Sequence, residues 1–186
     1  MTAKKLLLPT FGEGLLVLVV AGIGLVTRTP LIFTSLGPTA YELVEKPKAP
    51  SARLYNIIVG HMTALGAGFF SLWILSAWHA PIVATAGFVS SPRLWAAVLS
   101  VALTTLLTLV LHASQPASLS TTLLVSLGTM QSSRDAVAII LGVLIIAAIG
   151  EPIRRQYARE GVGRHGRQPA AQSNAPTSGT SGAYSG

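Results

Sequence analysis

Cysteine is absent and charge is scarce. The 186 residues hold no cysteine, and Asp, Glu, Lys and Arg together make up 10% of them. Without cysteine there is no disulfide and no thiolate metal site, and the redox compartment stays undetermined. A soluble domain carries about 25% charged residues. At 10%, with 51% apolar residues and a mean hydropathy of +0.60, a water-facing surface would be badly undercharged. Also missing are a carboxylate pair, a metal-ligand spacing, a nucleophile elbow and a phosphate loop. Neither an enzyme nor a cofactor or metal site is therefore expected. What remains is apolar chain for one small domain, most of it in lipid: an all-α integral membrane protein.

A helix needs about 20 apolar residues to cross about 30 Å of hydrocarbon. Four stretches qualify: 9–29, 54–78, 92–112 and 135–152. Prolines mark their limits: Pro30 ends the first, Pro81 follows the second, Pro92 opens the third, and Pro152 with Arg154-Arg155 stops the fourth. Trp73, Trp78 and Trp95 fall near span ends, at headgroup level. Residues 1–8, with the Lys4-Lys5 pair, resemble a signal peptide. The interruption at Pro9, the acid Glu13 and the lack of a small-residue cleavage site favour a retained first helix instead. The membrane domain is expected over 9–157. The tail 158–186, rich in Gly, Ser, Pro, Gln and Arg, buries too little apolar surface to fold and is expected to be disordered.

Two shorter apolar stretches lie between the long ones, at matching places in the two halves 9–79 and 92–153. The first, 31–44, is broken by Gly37-Pro38; the second, 116–130, opens on Ser118, Ser120, Thr121 and Thr122 and closes at Gly128. Each half thus reads long, short, long, the pattern of repeats whose broken helices carry a site near the membrane midplane. The echo of Ser35-Leu36-Gly37 in Ser126-Leu127-Gly128 is coincidence unless a structural alignment supports it; the repeat rests on hydropathy. If both short elements cross, six crossings result. Lys4, Lys5, Lys46, Lys48, Arg53 and the tail arginines then lie in the cytoplasm, with Arg28, Arg93 and Arg134 outside, in accord with the positive-inside rule. If both are re-entrant loops, Arg28, Lys46, Lys48, Arg53 and Arg134 all lie outside and Arg93 alone occupies the central inner loop. The six-crossing arrangement, with inverted halves and both termini cytoplasmic, is preferred. A bacterial inner membrane is the expected location.

Backbone that leaves regular structure at membrane depth must be buried in protein or line a cavity. Gly37-Pro38 is expected to break the first element, with a helix resuming at Thr39; Pro116 is expected in the first turn of the second. Two helix N-termini facing each other carry partial positive charge and free N–H donors, which suits a small anion. Hydroxyls of Thr34, Ser35, Thr39, Ser118, Ser120 and Thr121 would complete its shell without a cation that grips too tightly. The competing reading is that these small residues only let helices pack closely. His61 sits inside the second span; it either gates protons or contacts substrate, or is a neutral ring bonded to a neighbouring helix. Asn56 and Gly60 share a helical face. The acids Glu13, Glu42, Glu45 and Glu151 read as structural pairs of nearby Lys and Arg. The net charge of +7 belongs to the tail and cytoplasmic loops, where topology and anionic lipid explain it, so no nucleic-acid partner is expected.

Ser35-Leu36-Gly37-Pro38-Thr39-Ala40-Tyr41, the basic proline-containing loop after it, and Arg53 through Asn56 to Gly60-His61 resemble the HPP family of small integral membrane proteins. Thr121-Thr122-Leu123-Leu124-Val125-Ser126-Leu127-Gly128 agrees in the second half, and the likeness covers about residues 10–152. The eponymous His-Pro-Pro triplet falls on Gln115-Pro116-Ala117, which keeps only the central proline; His112 stands three positions upstream. Some plant-plastid and cyanobacterial members transport nitrite. The resemblance therefore implies an anion transporter whose lining matches Gly37, Pro38, Thr39, Asn56, Gly60, His61, Gln115, Pro116 and Thr121. The expected partners are a small inorganic anion, the lipid bilayer and further copies of the chain in a homo-oligomer. The rival from another class is a non-transporting membrane scaffold or regulatory subunit.

Overall fold

The computed structural model describes residues 3–160; of the tail expected to be disordered, 158–186, residues 158–160 instead continue the last helix and the rest lies outside the described residues. In lipid a backbone must satisfy its own polar groups, and the apolar runs do so as helices. Seven α-helices follow in order: α1 Ala3–Thr27, α2 Leu36–Glu45, α3 Leu54–Ile74, α4 Val83–Ala86, α5 Ser91–Val110, α6 Ser118–Ser126 and α7 Ser133–Glu160. Short 3₁₀ turns occupy Pro50–Ala52 and Ala77–His79, and no strand occurs among the described residues. Four helices are long and apolar enough to cross a membrane: Pro9–Thr27, Leu54–Ile74, Ser91–Val110 and Ser133–Arg159. These are the four expected spans.

Four boundaries differ from expectation. Pro9 and Pro152 lie inside α1 and α7 rather than limiting them. The first short element is not broken at Gly37-Pro38. The irregular stretch comes earlier, at residues 28–35, and the helix already runs from Leu36. Pro38 falls in the first turn, where a missing N–H costs nothing because no intrahelical acceptor exists for it. α6 starts two residues after Pro116, so this proline precedes the helix instead of occupying its first turn.

α2 and α6 each pack beside a long helix of the other half. Gly142 of α7 abuts the Leu31 carbonyl and the Phe33 ring, and Gly150 abuts Leu43; Gly60 of α3 abuts the Ala113 carbonyl and Gln115, and Gly68 abuts Val125. A Cβ on these glycines would come within 2.5–2.8 Å of its neighbour, so the backbones meet closely. One shift of 82 positions carries Gly60 to Gly142, Gly68 to Gly150, Leu31 to Ala113, Phe33 to Gln115 and Leu43 to Val125. The helix pairs in contact recur under the same exchange. α1 touches α2 and α7, α5 touches α6 and α3, α2 touches α7 as α6 touches α3, and α3 touches α7. Ser35 begins α2 whereas Ser126 ends α6, so the Ser-Leu-Gly echo pairs non-equivalent positions.

Each short element retraces the long helix before it. Leu31 lies against Gly24, near the end of α1, while Pro47, just past α2, accepts from Arg154, one turn from the Tyr157 that packs on Gly12 near the start of α1. In the second half Tyr55 donates to the Leu111 carbonyl at the end of α5, and Gly128, just past α6, lies on Arg93 in the first turn of α5. Leu16, Val20, Leu43, Ile57, Leu72, Val125, Ile139 and Ile146 build the core between these layers. Phe11, Leu25, Trp73, Trp95 and Leu109 stay exposed on the outer faces.

Candidate functional site

The starts of α2 and α6 meet against α3. Ser35 at the N-cap of α2 lies 2.7 Å, oxygen to oxygen, from Thr121 in the first turns of α6. His61 of α3 sits between the two elements: its Nδ1 is 2.8 Å from Thr121 Oγ1 and its Nε2 is 3.1 Å from Thr39 Oγ1. Thr39 donates to the Ser35 carbonyl at 2.8 Å. All four residues are wholly buried. Thr39 and Thr121 are equivalent under the shift of 82 positions, and they hold opposite nitrogens of one imidazole.

Donor accounting fixes a direction around this ring. Because the Thr39 hydroxyl proton goes to Ser35, its oxygen accepts from His61 Nε2–H, which leaves Nδ1 as acceptor for the Thr121 hydroxyl. Thr121 then accepts from Ser35 Oγ. The imidazole is thereby assigned as the neutral Nε2–H tautomer, inferred from the network. Every side-chain donor is engaged, so the ring as it stands is closed.

The amide tips differ from expectation. In α6 the Ser118, Leu119 and Ser120 amides turn back onto the carbonyls of Gln115, Pro116 and Ala117, and in α2 the Leu36 amide bonds Phe33 and that of Thr39 bonds Ser35. The converging donors are hydroxyls and the imidazole more than free backbone N–H groups. The Gly37 amide is the exception in the first turn of α2, its residue half-buried.

The other expected lining residues divide by place. Ser118 is buried and its hydroxyl closes on the Gln115 carbonyl at 2.6 Å. Asn56 donates to the Pro50 carbonyl at 2.8 Å and the Ser114 carbonyl at 3.4 Å, tying the starts of α3 and α6 together. Gly60 makes room for Gln115, whose side chain is buried with both amide atoms unpaired. Thr34, Pro38 and Pro116 are exposed and Ser120 half-buried, so none joins the central ring. Pro116 instead lines a cleft of about 190 Å³ with Thr105, Thr108, Ser114, Gln115 and Ser118, between α5 and the approach to α6.

Charge spacing alone did not reveal Arg93. Expected on the outer side at the start of the third span, it is wholly buried and donates to the carbonyls of Ala80, Pro81 and Ser126 and to Gln131. Nor does spacing single out Thr122, whose hydroxyl is buried without a partner and whose carbonyl lies beside Gly68. Glu151 does pair with Arg154 and Arg155, each at 2.7 Å. No group of three or more His, Cys, Asp or Glu side chains fit to hold a metal occurs among the described residues.

The family described as HPP, transmembrane region, matches residues 1–158. This chain belongs to the HPP family of transmembrane proteins. No curated protein and no solved structure matches it. Within this HPP chain the Ser35, Thr39 and Thr121 cluster and His61 thus fall inside the matched region, as do all four long apolar helices.

Proposed function

We propose that this HPP protein is a membrane transport protein for a small monovalent anion, with nitrite the first substrate to test. The observation that carries the reading is the meeting of two short helices on one buried imidazole through equivalent threonines. A ligand entering between Ser35 and Thr121 receives both hydroxyl protons once these rotate away from their present acceptors. The N-terminal ends of α2 and α6 add favourable potential for negative charge. No fixed cation lies in the ring to trap the anion, and weak multiple contacts favour passage.

The proposal includes two inverted repeats and six crossings. Arg93 to Leu111 is about 27 Å of helix at 1.5 Å per residue, close to the hydrocarbon thickness. The stretch from Ala113 to Gly128 returns over that distance, aided by its non-helical limb. The recurrence of contacts under one shift supports the repeat. We further assign a homo-oligomer, because so few spans offer little interior in which to shelter a pore, and cytoplasmic termini in a bacterial inner membrane.

The test is nitrite uptake into liposomes containing the purified chain, against a panel of other small anions and neutral solutes. Thr39→Val and Thr121→Val each keep volume but remove a hydroxyl, and each is expected to slow uptake about tenfold, the loss of about 1.4 kcal/mol of hydrogen bonding. Unchanged uptake in both variants removes the site. The second reading, a non-transporting scaffold, is favoured by the tight backbone contacts at Gly60, Gly68, Gly142 and Gly150, and predicts no uptake of any solute.

A further inference from the structure

Beside the hydroxyl ring lies a second buried polar group that the ring does not use. Glu42, one turn beyond Thr39 on α2, is buried, and its Oε2 has no hydrogen-bond partner; nor has either amide atom of Gln115. The side chains of Gln115 and Ser51 are near enough to act on the Glu42 carboxyl, yet neither completes a well-formed bond to Oε2. Gln115 also lines the cleft of about 190 Å³, so one residue connects that cleft to the carboxyl. Three unpaired polar atoms in one buried place are a costly arrangement, about 1–3 kcal/mol each, and a buried ionisable side chain in a membrane protein is a functional candidate.

We propose that Glu42 and Gln115 form a proton-binding site, the proton arriving through the Gln115-lined cleft and travelling with the anion. The inference rests on the anion-transport reading for its purpose, though not for its chemistry. Ionised, Glu42 Oε2 only accepts, and Gln115 must turn its Nε2 toward it. Protonated, Oε2–H donates, and the acceptor is Gln115 Oε1, so the amide turns over. Uptake joins one proton to one carboxylate oxygen, and one proton moving with one monovalent anion makes the cycle electroneutral. The turning amide sits where it can be felt, because the Ser118 amide and hydroxyl both close on the Gln115 backbone carbonyl at the mouth of α6.

The surroundings leave this carboxyl without a committed counter-ion. Lys46 is the charge whose field reaches Glu42, and its ammonium lies 5.6 Å from the centre of the Tyr41 ring. From α1, Glu13 interacts with Glu45. From α7, Arg154 and Arg155 both donate to Glu151, with Arg154 also on the Pro47 carbonyl. From α3 the titratable groups are His61, held in the hydroxyl ring, and Tyr55, bonded to Leu111; Arg53, exposed, precedes that helix. The turn Pro50–Ala52 contributes Ser51.

The experiment has two arms on the purified full chain. Infrared difference spectra during a pH titration are expected to show a protonated-carboxyl band that is lost in Glu42→Gln and shifted in Gln115→Met; a band unchanged in both overturns the site. In liposomes, proton uptake measured with a pH dye during nitrite entry, corrected for protein-free vesicles, is expected at about one proton per nitrite. In Glu42→Gln, proton uptake and stimulation by an inward proton gradient should both vanish, and their persistence overturns the coupling. If the unaltered chain moves no nitrite, the anion reading fails and the coupling with it, while the infrared arm still decides whether the site binds a proton.

Discussion

Arg93 is the largest fully buried side chain and has no carboxylate beside it among the described residues. Its Nη2 donates to the Ala80 carbonyl at 2.9 Å and to Gln131 Oε1 at 2.8 Å, and its Nη1 to the Ser126 carbonyl at 3.2 Å. The Ser126 carbonyl belongs to the last turn of α6, where a cation complements the negative end of the helix dipole. Gly128, at φ 89°, lets the guanidinium sit within 2.6 Å of where a Cβ would be. Arginine and glycine therefore depend on each other. Arg93→Met should fill much of the space yet strand those acceptors, costing about 3 kcal/mol or more. Arg93→Lys should recover part of this, because one ammonium cannot reproduce the planar fork. Thermal unfolding in detergent checks both, and a melting temperature unchanged in Arg93→Met would show that the bonds contribute nothing.

Between elements, stability is set by how closely backbones approach. Gly68 of α3 has Val125 Cβ 2.8 Å from its own absent Cβ, whereas Gly66, two residues away, has open space around it. Gly68→Ala should therefore destabilise the chain by about 1–3 kcal/mol through overpacking. Gly66→Ala should be neutral or stabilising, by up to about 1 kcal/mol of helix propensity. Equal effects on unfolding would refute the close packing of α3 on α6. The long helices were legible in the sequence because hydropathy and length are properties of a run, and the short ones because their interruption is visible in composition. Their exact break was not. Gly37-Pro38 carries a strong breaker signature, yet a proline in a first turn obeys the same rule that forbids it further in. The ring of Ser35, Thr39, His61 and Thr121 was legible as residue types but not as bonds, since the pairings span 22 to 86 positions. Thr34 and Ser120 share the composition signal of the ring and face elsewhere. Charge counting places Arg93 on the outer side but has no means of detecting its burial, and the pairing expected of Glu42 is one that its Oε2 does not make.

At the scale of the molecule, the near-symmetry of the contacts makes its exceptions informative. Thr39 and Thr121 are equivalent, but the position equivalent to His61 is Val143, so two like arms close on a single titratable group. The core is also unequal on its two sides: the cleft at Gln115 and Ser118 is lined by hydroxyls, while the equivalent positions include Phe33, Leu36 and Ile23. The direction in which the arms run through lipid decides whether the halves are inverted, and the absence of cysteine makes that directly measurable. Exposed Lys48 follows α2, exposed Thr85 precedes α5, and exposed Arg134 follows α6. With six crossings, a membrane-impermeant maleimide should label Lys48→Cys from the cytoplasmic face only, and Thr85→Cys and Arg134→Cys from the opposite face. With re-entrant arms, Lys48→Cys and Arg134→Cys would share the outer face and Thr85→Cys would move inside. Labelling in right-side-out and inverted vesicles distinguishes these patterns with three single substitutions. The first is expected because each arm begins beside the end of its long helix and finishes beside the start, as a crossing does and a shallow loop does not.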